Sequence, residues 1–307
     1  MTTVAFAKRH GLGNDFLIIE LDALDPTVAA ELQQPATVRW LCDRAFGVGG
    51  DGVLALSAPR TPGAVATMRV LNADGSEAEM CGNGIRCVAA FLRERDASLG
   101  ERLVIDTGAG PLACTVALGA DGVDTVTVDM GRPRLTRAEI PATGPSDDRW
   151  IDAPLTIPGD TFDSRPFTAV SMGNPHAITF VEDAATVDVL ARTLGPAVEH
   201  HAAFPRRANA EFAAVTGPDQ LVVGVWERGS GITLACGTGA CATAVAACLT
   251  GRARAGAPIH VALPGGTLII TVDPDYRTVT MTGPARRAFT GTVDLADRDR
   301  AARPAGR

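Results

Sequence analysis

Two stretches decide the fold of this chain, NADGSEAEMCGNGIRC at residues 72–87 and ERGSGITLACGTGAC at residues 227–241. We call them the first and second cysteine motifs. Each contains Cys-Gly-x-Gly, starting at Cys81 and at Cys236, and each continues into small apolar residues that are typical of a buried helix. A polar cluster begins nine residues before each cysteine. The motifs therefore predict one structural device that occurs once in each half of the chain.

Each cysteine is predicted to stand at the N-terminus of a helix. The N–H groups there have no carbonyl partner within the helix, and the helix dipole adds partial positive charge, so a carboxylate is attracted. Glycines allow a ligand to approach the backbone closely. The same field favours a thiolate, so we expect the pKa of each cysteine to be lowered. Two such devices on opposite sides of one carboxylate would suit a reaction that inverts a carbon by moving its proton.

A second repeat supports an internal duplication. LGNDF at residues 12–16 follows a predicted strand, and MGNPH at residues 172–176 follows another predicted strand in the second half. The sequence therefore predicts an α+β fold of two pseudo-symmetric domains. Each domain is expected to be a curved, mostly antiparallel sheet wrapped around a central helix, with the active site in the cleft between the domains.

The predicted domain boundaries follow from composition and from the order of the elements. We expect an N-terminal domain at 1–130 and a C-terminal domain at 131–278, with a strand at about 279–290 returning to the first. The proline-rich segment 131–166 is interpreted as the crossing between domains together with short strands. The charged end, 291–307, is predicted to be a disordered tail.

Composition excludes several classes of protein. A net charge of −7 and a pI of about 5.3 argue against a nucleic-acid partner. Lys8 is the only lysine, which excludes Schiff-base chemistry at any other position. No signal peptide and no membrane-length apolar run are evident, so a cytoplasmic protein with no membrane partner is expected.

The cysteines do not indicate a disulfide or a metal site. Their number, seven, is odd, and none of them forms Cys-x-x-Cys. We therefore expect no metal and no cofactor. Apart from Cys81 and Cys236, the cysteines are interpreted as small buried hydrophobic residues.

The two cysteine motifs, together with 12–16 and 172–176, resemble the diaminopimelate epimerase family over nearly the whole chain and in order. Related proteins that racemise proline or hydroxyproline share Cys-Gly-Thr-Gly, whereas Asn-Gly-Ile-Arg-Cys and Glu-Arg-Gly-Ser-Gly point to the diaminopimelate branch. The resemblance implies a cofactor-independent isomerase that interconverts LL- and meso-diaminopimelate in lysine and cell-wall precursor biosynthesis. It also implies a small-molecule amino-acid substrate and a homodimer.

The resemblance also implies roles for individual residues. Cys81 and Cys236 would be the acid and the base. The α-carboxylate would be held by the backbone amides of Gly82, Asn83, Gly237 and Thr238. The other substrate contacts would come from Asn14, Asn72, Asn174, Asn209, Glu227 and Arg228. This is chemically reasonable, because Arg228 can pair with a distal carboxylate and Glu227 can accept from an ammonium group.

Two residues and two other functions stay open. His176 either faces the site or only closes a turn, and Gly52 stands where many family members have glutamine. The chain could instead racemise another amino acid, of the basic or proline type. It could also be a member of the fold that binds an amino acid without catalysis.

Overall fold

The computed structural model describes residues 3–118 and 124–301. The chain forms two compact units, Met1–Val128 with Pro284–Arg307, and Asp129–Gly283. The boundary near the C-terminal end falls inside one strand, between Gly283 and Pro284.

The first unit is built from strands with one long helix. Its strands are β1 (Thr3–Gly11), β2 (Asn14–Glu20), β3 (Gly52–Ser57), β4 (Ala66–Asn72), β5 (Glu77–Ala78), β6 (Arg102–Thr107), β7 (Gly110–Leu118) and β8 (Asp124–Asp129). Its helices are α1 (Pro26–Leu32), α2 (Pro35–Cys42) and α3 (Gly82–Arg95).

The second unit is also built from strands and helices. Its strands are β9 (Ala153–Leu155), β10 (Arg165–Ser171), β11 (Pro175–Val181), β12 (Asn209–Gly217), β13 (Gln220–Glu227), β14 (Gly231–Ile232), β15 (Pro258–Leu263) and β16 (Gly266–Val272). Its helices are α4 (Val187–Glu199) and α5 (Gly237–Leu249). The chain then passes through β17 (Val279–Asp294) to α6 (Ala296–Ala301).

The strand pairings confirm the α+β prediction and the internal duplication. In the first unit β1 and β2 are antiparallel, β2 and β3 parallel, β3 and β4 antiparallel, β4 and β6 parallel, and β6 and β7 antiparallel. The second unit repeats that order from β10 to β16. Each unit is therefore a mostly antiparallel sheet with two parallel pairings.

Each sheet surrounds one buried helix. Ten of the 14 residues of α3 are buried, and ten of the 13 residues of α5. Glycine, alanine, threonine and cysteine side chains dominate α5, so strands β10, β11, β12 and β16 can pack against it from several sides. Among the described residues, no helix is long and apolar enough to cross a bilayer.

The proline-rich segment 131–166 contains a short strand, β9, as predicted, but it belongs to the second unit and is not a crossing between domains. Ile140 and Leu155 are buried in the core of the second unit, and the Trp150 ring stacks on Phe204 with centroids 5.5 Å apart. Regular structure in this segment is limited to the short strand β9 and the first residues of β10, but the prolines do not prevent burial. The apolar residues between them make this segment part of the second unit.

The prediction of a disordered tail at 291–307 was also wrong for its described part. Strand β17 continues to Asp294 and pairs antiparallel with β1, so that Thr3 lies opposite Asp294. Leu295, only 4% exposed, then packs into the core of the first unit, and α6 follows. The edge of β1 needs a partner strand, and β17 supplies it beyond the expected end at 290. Residues 302–307 lie outside the described residues.

Candidate active site

In the first cysteine motif, Cys81 is the N-cap residue of α3. Its backbone is extended, with φ −136° and ψ 116°, and its Sγ accepts the N–H of Gly84 at 3.4 Å. Gly82 and Asn83 are the first two helical residues, where N–H groups point away from the helix's own carbonyls. The side chain of Cys81 is partly exposed, so a ligand can reach the sulfur.

Asn14 lies directly beside this cysteine. Its Oδ1 accepts from Asn83 Nδ2 at 3.1 Å and lies 3.9 Å from Cys81 Sγ. Its Nδ2 donates to Asp51 Oδ2 at 2.8 Å. The structure thus brings together three residues that the sequence singled out, although they come from the start of β2 and the start of α3. Asp51, which orients the Asn14 amide, was not among the predicted site residues.

Asn72 and Gly52 face each other across a pair of strands. They are register partners in the β3–β4 pairing. Asn72 Nδ2 donates to Ser76 Oγ at 3.0 Å, so its amide is held within the turn that begins the first cysteine motif. A Cβ atom at Gly52 would lie 2.7 Å from the carbonyl oxygen of Leu71, which is backbone and cannot swing aside. This packing accounts for glycine at position 52.

Replacing Gly52 by glutamine should therefore destabilise the protein rather than supply an extra substrate contact. We expect a loss of about 1–3 kcal/mol in the free energy of unfolding, because the new side chain forces β3 and β4 apart. Urea denaturation measures this loss. Ala58→Gln, which adds the same side chain at an exposed position just after β3, is the control. A Gly52→Gln variant as stable as the control would contradict the prediction.

The second cysteine motif repeats the local geometry of the first. Cys236 is the N-cap residue of α5, and its Sγ accepts the N–H of Gly239 at 3.4 Å. Thr238 Oγ1 lies 3.5 Å from the same sulfur. Cys236 is only 5% exposed, so it is more enclosed than Cys81.

The prediction of a lowered pKa was wrong for Cys236. Burial raises the pKa of this thiol well above its usual range, and the nearby carboxyl group of Glu227 raises it further. Hydrogen bonds from Thr238 and from the N–H of Gly239 act in the opposite direction but are smaller. The helix N-terminus is present as expected, yet loss of solvation outweighs it.

A row of hydrogen bonds leads from Cys236 into the sheet. Asn174 Nδ2 donates to Thr238 Oγ1 at 3.3 Å, and Asn174 Oδ1 lies 3.0 Å from His176 Nε2. His176 Nδ1 lies 2.7 Å from Glu211 Oε1, and both of these side chains are fully buried. His176 therefore contacts a predicted substrate residue. Glu211 was missed, although a glutamate inside the apolar strand of β12 is the kind of signal that could have revealed it.

Comparison with known proteins agrees with this geometry. A sequence model of the diaminopimelate epimerase family matches residues 6–136 and 168–288. The chain belongs to that family.

Relatives in the family are similar over nearly their full length. The chain is 48% identical to diaminopimelate epimerase 1 of Nostoc sp. strain PCC 7120, over 94% of this chain and 99% of the relative. It is 49% identical to the diaminopimelate epimerase of Thermosynechococcus vestitus, over 95% and 99%. The family is one of isomerases, which confirms the predicted enzyme class.

Solved structures show the same fold at low sequence identity. A hydroxyproline epimerase from Agrobacterium vitis, with bound trans-4-hydroxy-L-proline, has a TM-score of 0.66 at 16% identity, covering 95% of this chain and 91% of that one. A phenazine biosynthesis protein of the PhzF family from Bacillus anthracis has a TM-score of 0.63 at 16% identity, covering 96% and 100%.

Glu227 lies beside Cys236. Its carboxylate accepts from the Thr233 hydroxyl and interacts with Cys236. Burial raises the pKa of Glu227, and these two contacts oppose the rise. The carboxyl group is therefore close enough to influence the charge on the Cys236 sulfur.

The side chain of Asn209 binds the backbone of Arg228. Asn209 Oδ1 accepts the N–H of Arg228 at 2.8 Å, and Asn209 Nδ2 donates to the carbonyl of Pro175 at 2.9 Å. Asn209 is only 2% exposed, so its amide fixes the backbone around Arg228. The guanidinium of Arg228 is exposed and donates to the carbonyl of Arg206 at 3.1 Å.

Within 3–118 and 124–301, no group of three or more His, Cys, Asp and Glu side chains is arranged to hold a metal ion. Lys8, the only lysine, is 6% exposed, and its ammonium lies 2.7 Å from Asp15 Oδ2. An ion-paired, buried ammonium is poorly suited to form a Schiff base, because the reaction requires the neutral amine.

Proposed function

We propose that this protein interconverts LL- and meso-2,6-diaminopimelate without a cofactor, using Cys81 and Cys236 as a pair of acid and base. The observation that carries the proposal is the repetition of one local geometry, in which a cysteine caps a buried helix and an asparagine amide contacts the second residue of that helix. Diaminopimelate epimerases that are 48% and 49% identical over nearly the whole chain support the choice of substrate.

In the proposed reaction, one cysteine removes the α-proton as a thiolate while the other delivers a proton to the opposite face as a thiol. The α-proton of an amino acid is weakly acidic, so the α-carboxylate must be stabilised as charge flows into it. We assign this stabilisation to the amides of Gly82, Asn83, Gly237 and Thr238 at the two helix N-termini. The two cysteines exchange roles for the reverse direction, and they titrate as one coupled pair.

The remaining proposed contacts recognise the rest of the substrate. Diaminopimelate carries an amino-acid group at each end, so its site needs a cation for the distal carboxylate and acceptors for ammonium. Arg228 is proposed as the cation, because a guanidinium has five N–H donors and the contact with Arg206 uses one. Asparagine amides and one carboxylate are proposed as the other partners: Asn14, Asn72, Asn174, Asn209 and Glu227.

Two finer features are also proposed, of which the first is implied by the resemblance to the family. They are assembly as a homodimer and a cytoplasmic location. The partners proposed are a small-molecule amino acid and a second copy of the chain, with no nucleic acid and no membrane.

Deuterium uptake in heavy water tests the two-base mechanism. Newly formed product should carry solvent deuterium at the inverted carbon almost completely, because its proton comes from the opposite thiol. Substrate recovered at less than about a tenth of conversion should remain mostly protiated, since the abstracting thiol tends to return its own proton. Mass spectrometry of the separated isomers measures both quantities.

Equal early deuteration of substrate and product would contradict this mechanism, because it indicates one base that exchanges with solvent. The same assay with proline and with lysine in place of diaminopimelate tests the choice of substrate. Turnover of either amino acid at a rate similar to that of LL-diaminopimelate would contradict it, since neither carries a distal carboxylate.

A further inference from the structure

Glu211 is a fully buried carboxyl group that the proposed reaction does not use. It lies on β12, and its Oε2 atom has no hydrogen-bond partner among the described residues. A Cβ atom at Gly239 would lie 2.8 Å from Glu211 Oε1, so the carboxyl group packs directly under the start of α5. An ionised carboxylate would leave a charged oxygen without a partner there, whereas a neutral acid leaves only a carbonyl oxygen.

Burial raises the pKa of Glu211, and the neighbouring His176 opposes the rise. The raised pKa and the lack of a partner for Oε2 within the described part of the chain both favour the neutral acid. Among the described residues, His176 is the only titratable side chain that forms a hydrogen bond with this carboxyl group.

The hydrogen bond at His176 Nε2 has a defined direction. Its Nε2 atom faces Asn174 Oδ1, which can only accept, so Nε2 must carry a hydrogen. In a neutral imidazole the Nδ1 atom is then an acceptor, and the hydrogen between Nδ1 and Glu211 Oε1 must belong to Glu211. Asn174 in turn donates to Thr238 Oγ1, which leaves the Thr238 hydroxyl hydrogen able to point at Cys236 Sγ.

The first cysteine motif has the opposite arrangement. There Asp51 accepts from Asn14 Nδ2, and this turns the Asn14 carbonyl oxygen towards Cys81. The two asparagines occupy repeated positions in the sequence, but one presents an acceptor to its motif and the other presents a donor. The hydrogen-bond partner on the far side of each asparagine therefore decides whether its amide oxygen or its NH2 group faces the cysteine motif. For Asn174 that partner is His176, which is itself bonded to Glu211.

We propose that Glu211 is a positioning residue: as a neutral acid it donates to His176 Nδ1, fixes the imidazole as the Nε2–H tautomer, and so orients Asn174 and Thr238 to donate towards the Cys236 sulfur. The proposal rests on the proposed function in that Cys236 is taken as a reacting group. A donor aimed at the sulfur stabilises its thiolate, which burial otherwise disfavours.

Nitrogen-15 NMR of the histidine side chains tests the tautomer without any measurement of activity. The full chain contains five histidines, and His176 is assigned by the signals that disappear in His176→Gln. We expect a protonated, pyrrole-like Nε2 and an unprotonated, pyridine-like Nδ1 near neutral pH. A proton on Nδ1, or on both nitrogens, would overturn the proposal, whether or not the chain is an epimerase.

Kinetics of two variants test the consequence. Glu211→Met has similar volume but cannot donate, so we expect kcat to fall by roughly ten- to a hundred-fold while KM changes little. Glu211→Gln can donate an amide N–H to His176 Nδ1, and it should recover most of that loss and keep the Nε2–H tautomer. An unchanged kcat in Glu211→Met, or equal damage in both variants, would overturn the proposal.

Thr179→Val is the matched control. Thr179 lies on the neighbouring strand β11, it is fully buried, and its hydroxyl has no hydrogen-bond partner among the described residues. It takes no part in the row that leads to Cys236, so its replacement should leave kcat unchanged. If Glu211→Met does not fold, the spectra of the wild type and of Glu211→Gln decide the question.

Discussion

Alanine at Cys81 or at Cys236 should lower kcat for epimerisation by about a thousand-fold or more. Each substitution removes the only acid or base proposed for one face of the substrate carbon, and water cannot replace a thiol that is held by a helix N-terminus. The rate is measured as the conversion of LL- to meso-diaminopimelate by chromatography. Substrate binding, followed by calorimetry, should change much less than kcat.

Cys248→Ala is the control for these variants. Cys248 lies near the end of α5, on the same helix that Cys236 caps, and is only partly buried. Loss of its sulfur should leave kcat within a few-fold of the wild type. If Cys81→Ala or Cys236→Ala kept more than about a tenth of the activity, a mechanism with two opposed cysteines would be untenable.

The repeated motifs allowed the fold class to be predicted from the sequence. Cys-Gly-x-Gly followed by small residues identifies the buried helix, because only small side chains allow strands to pack around it closely. The recurrence of Gly-Asn before a strand, at Asn14 and Asn174, identifies the duplication that the strand pairings later confirm. A motif consists of residues that are close together in the sequence, so it can be recognised without knowledge of tertiary contacts.

Features that depend on long-range contacts could not be predicted in this way. The pKa of Cys236 is raised mainly by burial, which results from the packing of strands distant in sequence around α5. The pairing of β17 with β1 joins the two ends of the described chain. Residues 291–294 read Gly-Thr-Val-Asp, a stretch too short to identify that partner strand by its own pattern.

The site also contains residues that the sequence predicted and residues that only the folded structure reveals. The prediction that Asn14 belongs with Cys81 came from the family resemblance, and the structure brings the two within 3.9 Å. Asp51 and Glu211, which orient Asn14 and His176, carry no motif of their own. A side chain that acts by orienting another is recognised from its hydrogen-bond partner, and that partner is known only once the chain is folded.

Arg228→Ala should lower kcat/KM for diaminopimelate strongly while leaving both thiols in place. Truncating one partner of a charge-assisted pair that becomes buried when the substrate binds costs about 2–5 kcal/mol, which corresponds to a loss of roughly thirty-fold to several thousand-fold. The guanidinium is exposed, so its removal should affect recognition of the distal carboxylate rather than folding. Steady-state kinetics with LL-diaminopimelate measure the loss, and the melting temperature should stay close to that of the wild type.

Arg206→Ala and Arg228→Lys make this test specific. Arg206 contacts Arg228 through its backbone carbonyl, so removing its exposed side chain keeps that contact and should have little effect. Lysine at 228 keeps the charge but lacks the planar fork of donors, so its kcat/KM should lie between those of the wild type and of Arg228→Ala. An unchanged kcat/KM in Arg228→Ala would mean that the distal carboxylate is bound elsewhere, because a partner that recognises one end of a substrate cannot be removed without cost to its recognition.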